Sequence, residues 1–245
     1  MKAIILAAGY PTRLYPLTLN TPKPLLFVKE KLLINYTIDK LNACKDITEI
    51  FVVTNDKFYS HFVTWQKTVQ SQKKITIVND GTKENGARLG AVGDMYYVIE
   101  QQKITEDILV VAGDNLFSFE LSEIVSYFNA KKTIIVGVYD TQDKKRIANI
   151  LGCLELDVYN KIIGFEEKPE HPKTTLASTG CYVFPKSSFA IIKDALKIQH
   201  PDRHGDLLVY LMQKLPLYAF TFKGFWYDIG CPAEYELVQN SEIKF

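Results

Sequence analysis

Arg13 and Lys23 lie in the stretch LAAGYPTRLYPLTLNTPKPL, residues 6–25, where an apolar run gives way to small residues and then to charge. Ala8 and Gly9 let the backbone approach a ligand closely. The N–H groups of Tyr10, Thr12 and Arg13 in such a loop favour an anion. The two cations add to that preference, and the prolines on either side of Lys23 hold its backbone extended. A triphosphate suits this arrangement; a surface loop with two solvated cations would use the same residue types.

Further candidates follow along the chain. Asp114 in VVAGDN ends an apolar run, at the carboxyl edge of a strand, where an acid can hold Mg²⁺ through one oxygen or cap the next helix. GFEEKP, residues 164–169, clusters acids with Lys168, as a catalytic edge or a solvated hairpin would. WYDIG, residues 226–230, sets Asp228 beside two aromatics. His200 and His204 are four apart, but Pro201 interrupts any helix that would align them, so no metal role is expected. Cys44, Cys153, Cys181 and Cys231 form no C-x-x-C pair and read as reduced, structural thiols.

The elements that must position these residues are legible as patterns. KAIILAA, EIFVVTN, KITIVND and DILVVAGD are continuous apolar runs, as in parallel strands buried on both faces. Between them, residues 35–45 and 89–100 repeat apolar residues at helical spacing. Alternating strand and helix predicts an α/β fold with a Rossmann-like, mostly parallel sheet flanked by helices. From about Thr133 onward TIIVGVYD, LGCLELD, KIIGFEEK and ASTGCYVF read as strands joined by turns, PLYAFTFKGFWYDIG as one further strand. Helices are expected over 187–198, 206–214 and 232–240. One domain, 1–245, is expected, with halves at 1–132 and 133–245, the second a strand-rich extension.

Composition narrows the classes. The 245 residues are 47% apolar, and 29 Lys and Arg against 28 acids leave no broad attraction to nucleic acid or an anionic membrane. There is no secretory signal pattern and no charge-free stretch of membrane-spanning length, so a cytoplasmic protein is expected. G-x-G-x-x-G and G-x-x-x-x-G-K-[ST] are both absent, which removes the dinucleotide and P-loop readings.

Taken in order, the segments resemble the sugar-1-phosphate nucleotidyltransferases, whose signature reads L-A-A-G-x-G-T-R-L-x-P-L-T…P-K-P-L. Residues 6–25 match with Pro11 in place of the second glycine, which removes one N–H from the loop. The resemblance implies that an NTP and a sugar 1-phosphate give a nucleoside-diphosphate sugar and pyrophosphate, with dTTP or UTP and glucose 1-phosphate favoured. It assigns phosphate stabilisation to Arg13 and Lys23, and one Mg²⁺ to Asp114 and Asp228 together. Glu167 would take the sugar hydroxyls and Lys168 the sugar phosphate, with Gly152 and Gly180 lining the sugar. Ala8, Gly9, Tyr10, Thr12, Arg13 and Gly90 would hold the nucleotide. The base-reading region, NDGTKENGARLGAVGD, departs most from the family pattern; Asn79 or Asn85 would read a pyrimidine edge through its amide.

Two rivals are a cytidylyltransferase of the same fold acting on a phospho-alcohol, and a non-catalytic module. The first is disfavoured by EEKP, the second by the retention of Asp114, Asp228, Lys23 and Lys168. No hexapeptide repeat follows the last helix, so no fused acyltransferase is expected; a homo-oligomer is compatible with the sequence.

Overall fold

The computed structural model describes residues 1–198 and 201–242. The first half runs β1 (Lys2–Leu6), β2 (Phe27–Val28), β3 (Lys31–Leu32), α1 (Leu33–Ala43), β4 (Glu49–Thr54), α2 (Tyr59–Gln66), β5 (Lys74–Asn79), α3 (Gly90–Gln101), β6 (Ile108–Ala112), β7 (Asn115–Phe117) and α4 (Leu121–Lys131). The second half continues with β8 (Ile134–Asp140), β9 (Cys153–Leu156), β10 (Ile162–Glu166), β11 (Leu176–Phe184), α5 (Phe189–Ile198), α6 (His204–Met212), β12 (Leu217–Phe222), β13 (Trp226–Asp228) and α7 (Pro232–Asn240).

Strands from both halves join one sheet in the order β10-β9-β11-β6-β1-β4-β5, with β8 and β12 extending from β11. β6, β1, β4 and β5 are parallel neighbours; β11 pairs antiparallel with β6. Because successive side chains of a strand point to opposite faces, an apolar strand feeds two cores. Ala3 and Ile5 pack with Ile38, Phe62 and Phe128 of α1, α2 and α4. Ile4 packs on the other face with Met95, Ile192 and Leu208 of α3, α5 and α6. Among the described residues no helix is long and apolar enough to cross a membrane.

The stretch read as one strand, 216–230, is two. β12 pairs parallel with β8, whereas β13 leaves the sheet and pairs with β7. Gly224, at φ +100, makes the break, a backbone angle that L side chains seldom adopt. α2 and α4 lie where no helix was expected. His200 lies outside the described residues.

Candidate active site

The parallel strands end on one side of the sheet, and the loop after β1 opens there. Ala7 N–H still donates to the Val53 carbonyl at 2.9 Å, so the chain departs from the sheet only at Ala8. The Asn55 amide, itself buried, donates to the Ala8 carbonyl at 3.0 Å and anchors the turn. The N–H groups of Ala8, Gly9 and Tyr10 then have no acceptor among the described residues. Thr12 differs from expectation: its N–H donates to the Tyr10 carbonyl at 2.9 Å, so it is not free for an anion. Pro11 accepts at its carbonyl from the Thr18 hydroxyl and the Leu14 N–H, which fixes the tight turn carrying Arg13.

Asp114 and Asp228 meet beside this loop. Asp114 sits between β6 and β7, and β13 pairs with β7 so that Asp228 stands opposite Asn115. The Ile229 N–H donates to the Asp114 carbonyl at 3.2 Å, which locks the two segments. Burial, and then the negative charge of Asp114, holds the Asp228 carboxyl well above the ordinary carboxylate range. Lys23 lies 2.5 Å from Asp114 Oδ2. Burial alone would lower its pKa, but the charges of Asp114 and Asp228 outweigh that and raise it. Arg13 adds a second positive charge to both. Two carboxylates that repel each other, relieved by cations, form a hard-oxygen donor pair suited to a divalent metal. Among the described residues no group of three or more His, Cys, Asp or Glu gathers in this way. A pair of carboxylates is a donor set with which a protein can hold a divalent cation while phosphates and waters complete the shell.

The cleft over this loop encloses about 380 Å³ and is lined by Ala8, Gly9, Tyr10, Thr12, Arg13, Lys23, Gly90, Asp114 and Gly180 of the expected set. Gly180, at φ +72, places its Cα so that a Cβ would come within 2.9 Å of Ala112. Glu167 and Gly152 stand next to the cleft rather than on its lining. A Cβ on Gly152 would come 2.5 Å from Phe165 and 3.4 Å from Glu167 Oε2. Burial raises the Glu167 pKa, against the opposing charges of Arg203 and Lys168. Lys168 adopts the left-handed backbone at φ +51.

Asn79 and Asn85 are not on the cleft lining. The Asn79 amide donates to Asp56 at 2.8 Å and its oxygen accepts from the Gly81 N–H, which makes it a turn residue. Asn85 accepts from Arg88 at 3.1 Å.

Among the polar side chains of the cleft lining, Arg88, Asp94, Asp202, Arg203 and His204 had been given no role from the sequence. Asp202 forms a two-point ion pair with Arg88, and its carbonyl accepts from the Ala91 N–H at 2.8 Å. Arg203 faces Glu167 at 3.6 Å. Asp202 thus ties the cleft to Arg88 and the start of α3, and Arg203 ties it to Glu167. His204 is buried and stacks on Tyr182 with ring centroids 4.5 Å apart. Burial pushes its pKa down to about 4, so the ring is neutral. Helical spacing gave no signal for Asp94, which lies on the opposite side of the helix from the stripe of Leu89, Val92, Tyr96 and Ile99.

A family model described as nucleotidyl transferase matches residues 2–243. The chain belongs to that family. Its members among named proteins differ in the base they are named for. A Sulfolobus acidocaldarius protein named as a mannose-1-phosphate guanyltransferase is 32% identical over 239 residues, covering 96% of this chain and 61% of the relative. A Thermosipho africanus glucose-1-phosphate adenylyltransferase is 31% identical over 241 residues, covering 93% of this chain and 58% of the relative. This nucleotidyl transferase chain thus spans about three-fifths of the length of these curated relatives. A Bacillus anthracis structure described as a glucose-1-phosphate thymidylyltransferase in complex with a sucrose superposes with TM-score 0.79 at 26% identity, covering 100% of this chain and 98% of that one.

Proposed function

We propose that the protein joins an NTP to a sugar 1-phosphate, releasing pyrophosphate and a nucleoside-diphosphate sugar. The observation that carries this reading is the convergence of Asp114 and Asp228 with Lys23 and Arg13 beside a loop of unpartnered N–H groups. An oxygen of the sugar phosphate attacks the α-phosphorus in line; that P–O bond forms as the bond to pyrophosphate breaks. The nucleophile is already anionic, so the site needs no general base, only positioning and charge neutralisation. Arg13 and the free N–H groups suit the triphosphate, Lys168 suits the incoming phosphate, and Glu167 suits sugar hydroxyls. Asp114 and Asp228 would hold Mg²⁺, which supplies charge neutralisation at the phosphates when bound.

The reading keeps glucose 1-phosphate as the sugar substrate. The expectation of dTTP or UTP rests on family likeness alone, since neither Asn79 nor Asn85 lines the cleft to read a pyrimidine edge.

Incubating the protein with each NTP against several sugar 1-phosphates, and with phosphocholine, while measuring pyrophosphate is the direct test. Release with at least one sugar phosphate is expected, and release with none refutes the activity. Asp228→Asn should lower turnover by orders of magnitude, on the scale of several kcal/mol of lost transition-state stabilisation. Near-normal turnover in Mg²⁺ would remove Asp228 from the metal pair.

A further inference from the structure

The cleft has two chemically opposed ends. Arg13, Lys23 and the loop N–H groups lie at one. At the other, Asp94 lines the cleft from α3, and Asp80, at the end of β5, stands behind it. β5 and β6 are separated in the sheet by β1 and β4. Three inter-strand steps set the Asp80 end roughly 14 Å from the strand that carries Asp114. The charges acting on Asp94 are those of Asp80 and Asp202. A nucleotide laid along the cleft with its phosphates at the cationic end brings its base to the acidic end.

Asp94 and Asp80 are both more than nine-tenths buried. Asp94 Oδ1 and Asp80 Oδ2 are both buried without a hydrogen-bond partner among the described residues, and the negative charge of Asp80 acts on Asp94. A proton kept on Asp94 and directed at Asp80 would satisfy both oxygens. The remaining Asp80 oxygen, Oδ1, is taken by the N–H and hydroxyl of Thr82, at 2.6 and 2.8 Å. The remaining Asp94 oxygen, Oδ2, makes no hydrogen bond among the described residues. It is the one acceptor of the pair left to the cleft. The nearby backbone offers no competing donor at Ala91, whose N–H is held by the Asp202 carbonyl.

Resting on the nucleotidyltransferase reading above, we propose that Asp94 selects the base, its free oxygen accepting a hydrogen bond from an exocyclic amino group. Guanine, adenine and cytosine carry such a group. Uracil and thymine present an N–H flanked by two carbonyl oxygens, which a carboxylate oxygen repels. Asp94 is thus a specificity-determining residue that acts by accepting one bond and rejecting keto edges.

The test is equilibrium titration of the full chain, in Mg²⁺, with GTP, ATP, dATP, CTP, ITP, UTP and dTTP, alongside kcat/KM for each. ITP is GTP without its amino group and ATP with a keto oxygen in its place; UTP is the same replacement in CTP. One of the amino-bearing nucleotides should bind best, and its keto counterpart roughly tenfold to a hundredfold more weakly, the discrimination typical of one good base contact. Asp94→Asn, whose amide can also donate, should bring that ratio to within about threefold. Asp80→Asn should keep the preference, since its amide can donate to Asp94 and leave Oδ2 an acceptor. Preference for UTP or dTTP overturns the proposal, as does an unchanged ratio in Asp94→Asn. A ratio that instead follows ATP against dATP would place Asp94 at the ribose and overturn it too. If no substrate pair releases pyrophosphate, the activity reading fails while the binding ratios still decide the role of Asp94.

Discussion

Lys23→Met removes a charge while keeping most of the side chain's length and apolar stem. In the native site the ammonium lies 2.5 Å from Asp114, with side-chain exposures of 14% for the lysine and 29% for the acid. Without it, Asp114 and Asp228 confront each other with only Arg13 nearby. Removing one partner of a buried pair costs about 3–5 kcal/mol, and the partial exposure of Asp114 reduces this to about 2–3 kcal/mol. A divalent cation binding the vacated acids at tenfold its Kd returns about 1.4 kcal/mol by mass action. In the native protein the cation must displace Lys23 from Asp114, so its stabilising effect should be smaller there. Urea unfolding followed by the fluorescence of Trp65 and Trp226, both buried, reads all four combinations of variant and Mg²⁺. A cost below about 1 kcal/mol would mean that the pair is no stronger than a surface ion pair. Equal Mg²⁺ stabilisation of both proteins would show that the acids are not where the cation binds. Either result refutes the electrostatic reading of the site.

A Cβ on Gly9 would meet nothing within 4 Å, so Gly9→Ala should leave stability within about 0.5 kcal/mol of the native protein. Because Gly9 lines the cleft, the same change should lower kcat/KM for the nucleotide; thermal melting and steady-state kinetics on one preparation check both. Stability should also depend on pH through Asp94, whose carboxyl is pushed up from 3.8 to about 8 by burial and then by Asp80. The folded state keeps a proton that the unfolded chain releases, so stability falls as pH rises through that window, by at most about 1.4 kcal/mol per pH unit. Asp94→Asn should flatten the fall between pH 5 and about 8, and parallel urea-unfolding profiles for the two proteins would contradict it. His204, held down to about 4 from 6.5, acts in the opposite sense and loses stability only as pH drops below its unfolded value.

The parallel strands and the loop between β1 and the Arg13 turn were legible because their signals are local. An apolar run of five or six residues has few places to go except a strand covered on both faces. Helix α2, YSHFVTWQ, was not legible: its aromatics and β-branched residues carry no helical preference, and packing of Phe62 and Trp65 under the sheet decides the matter. The pairing of Asp114 with Asp228 followed from family likeness, since nothing in either segment announces the β7–β13 ribbon. Asn79 and Asn85 were chosen for amide chemistry, but an amide's availability depends on neighbours that fold around it, here Asp56, Gly81 and Arg88. Asp202 and Arg203 were hidden for the same reason: they are ordinary turn residues until α6 docks them over the cleft.

Strand β13 follows every other described strand in the sequence, and its pairing with β7 delivers Asp228 to the side of Asp114. A ribosome-bound intermediate that already holds β1, β4, β5 and β6 in register has the phosphate loop, Lys23 and Asp114, with a single acid for the cation. Such an intermediate carries a balanced Lys–Asp pair rather than an excess of negative charge. Until β13 docks on β7, only one of the two acids proposed for the cation is in place, so cation binding should appear only once that ribbon has formed.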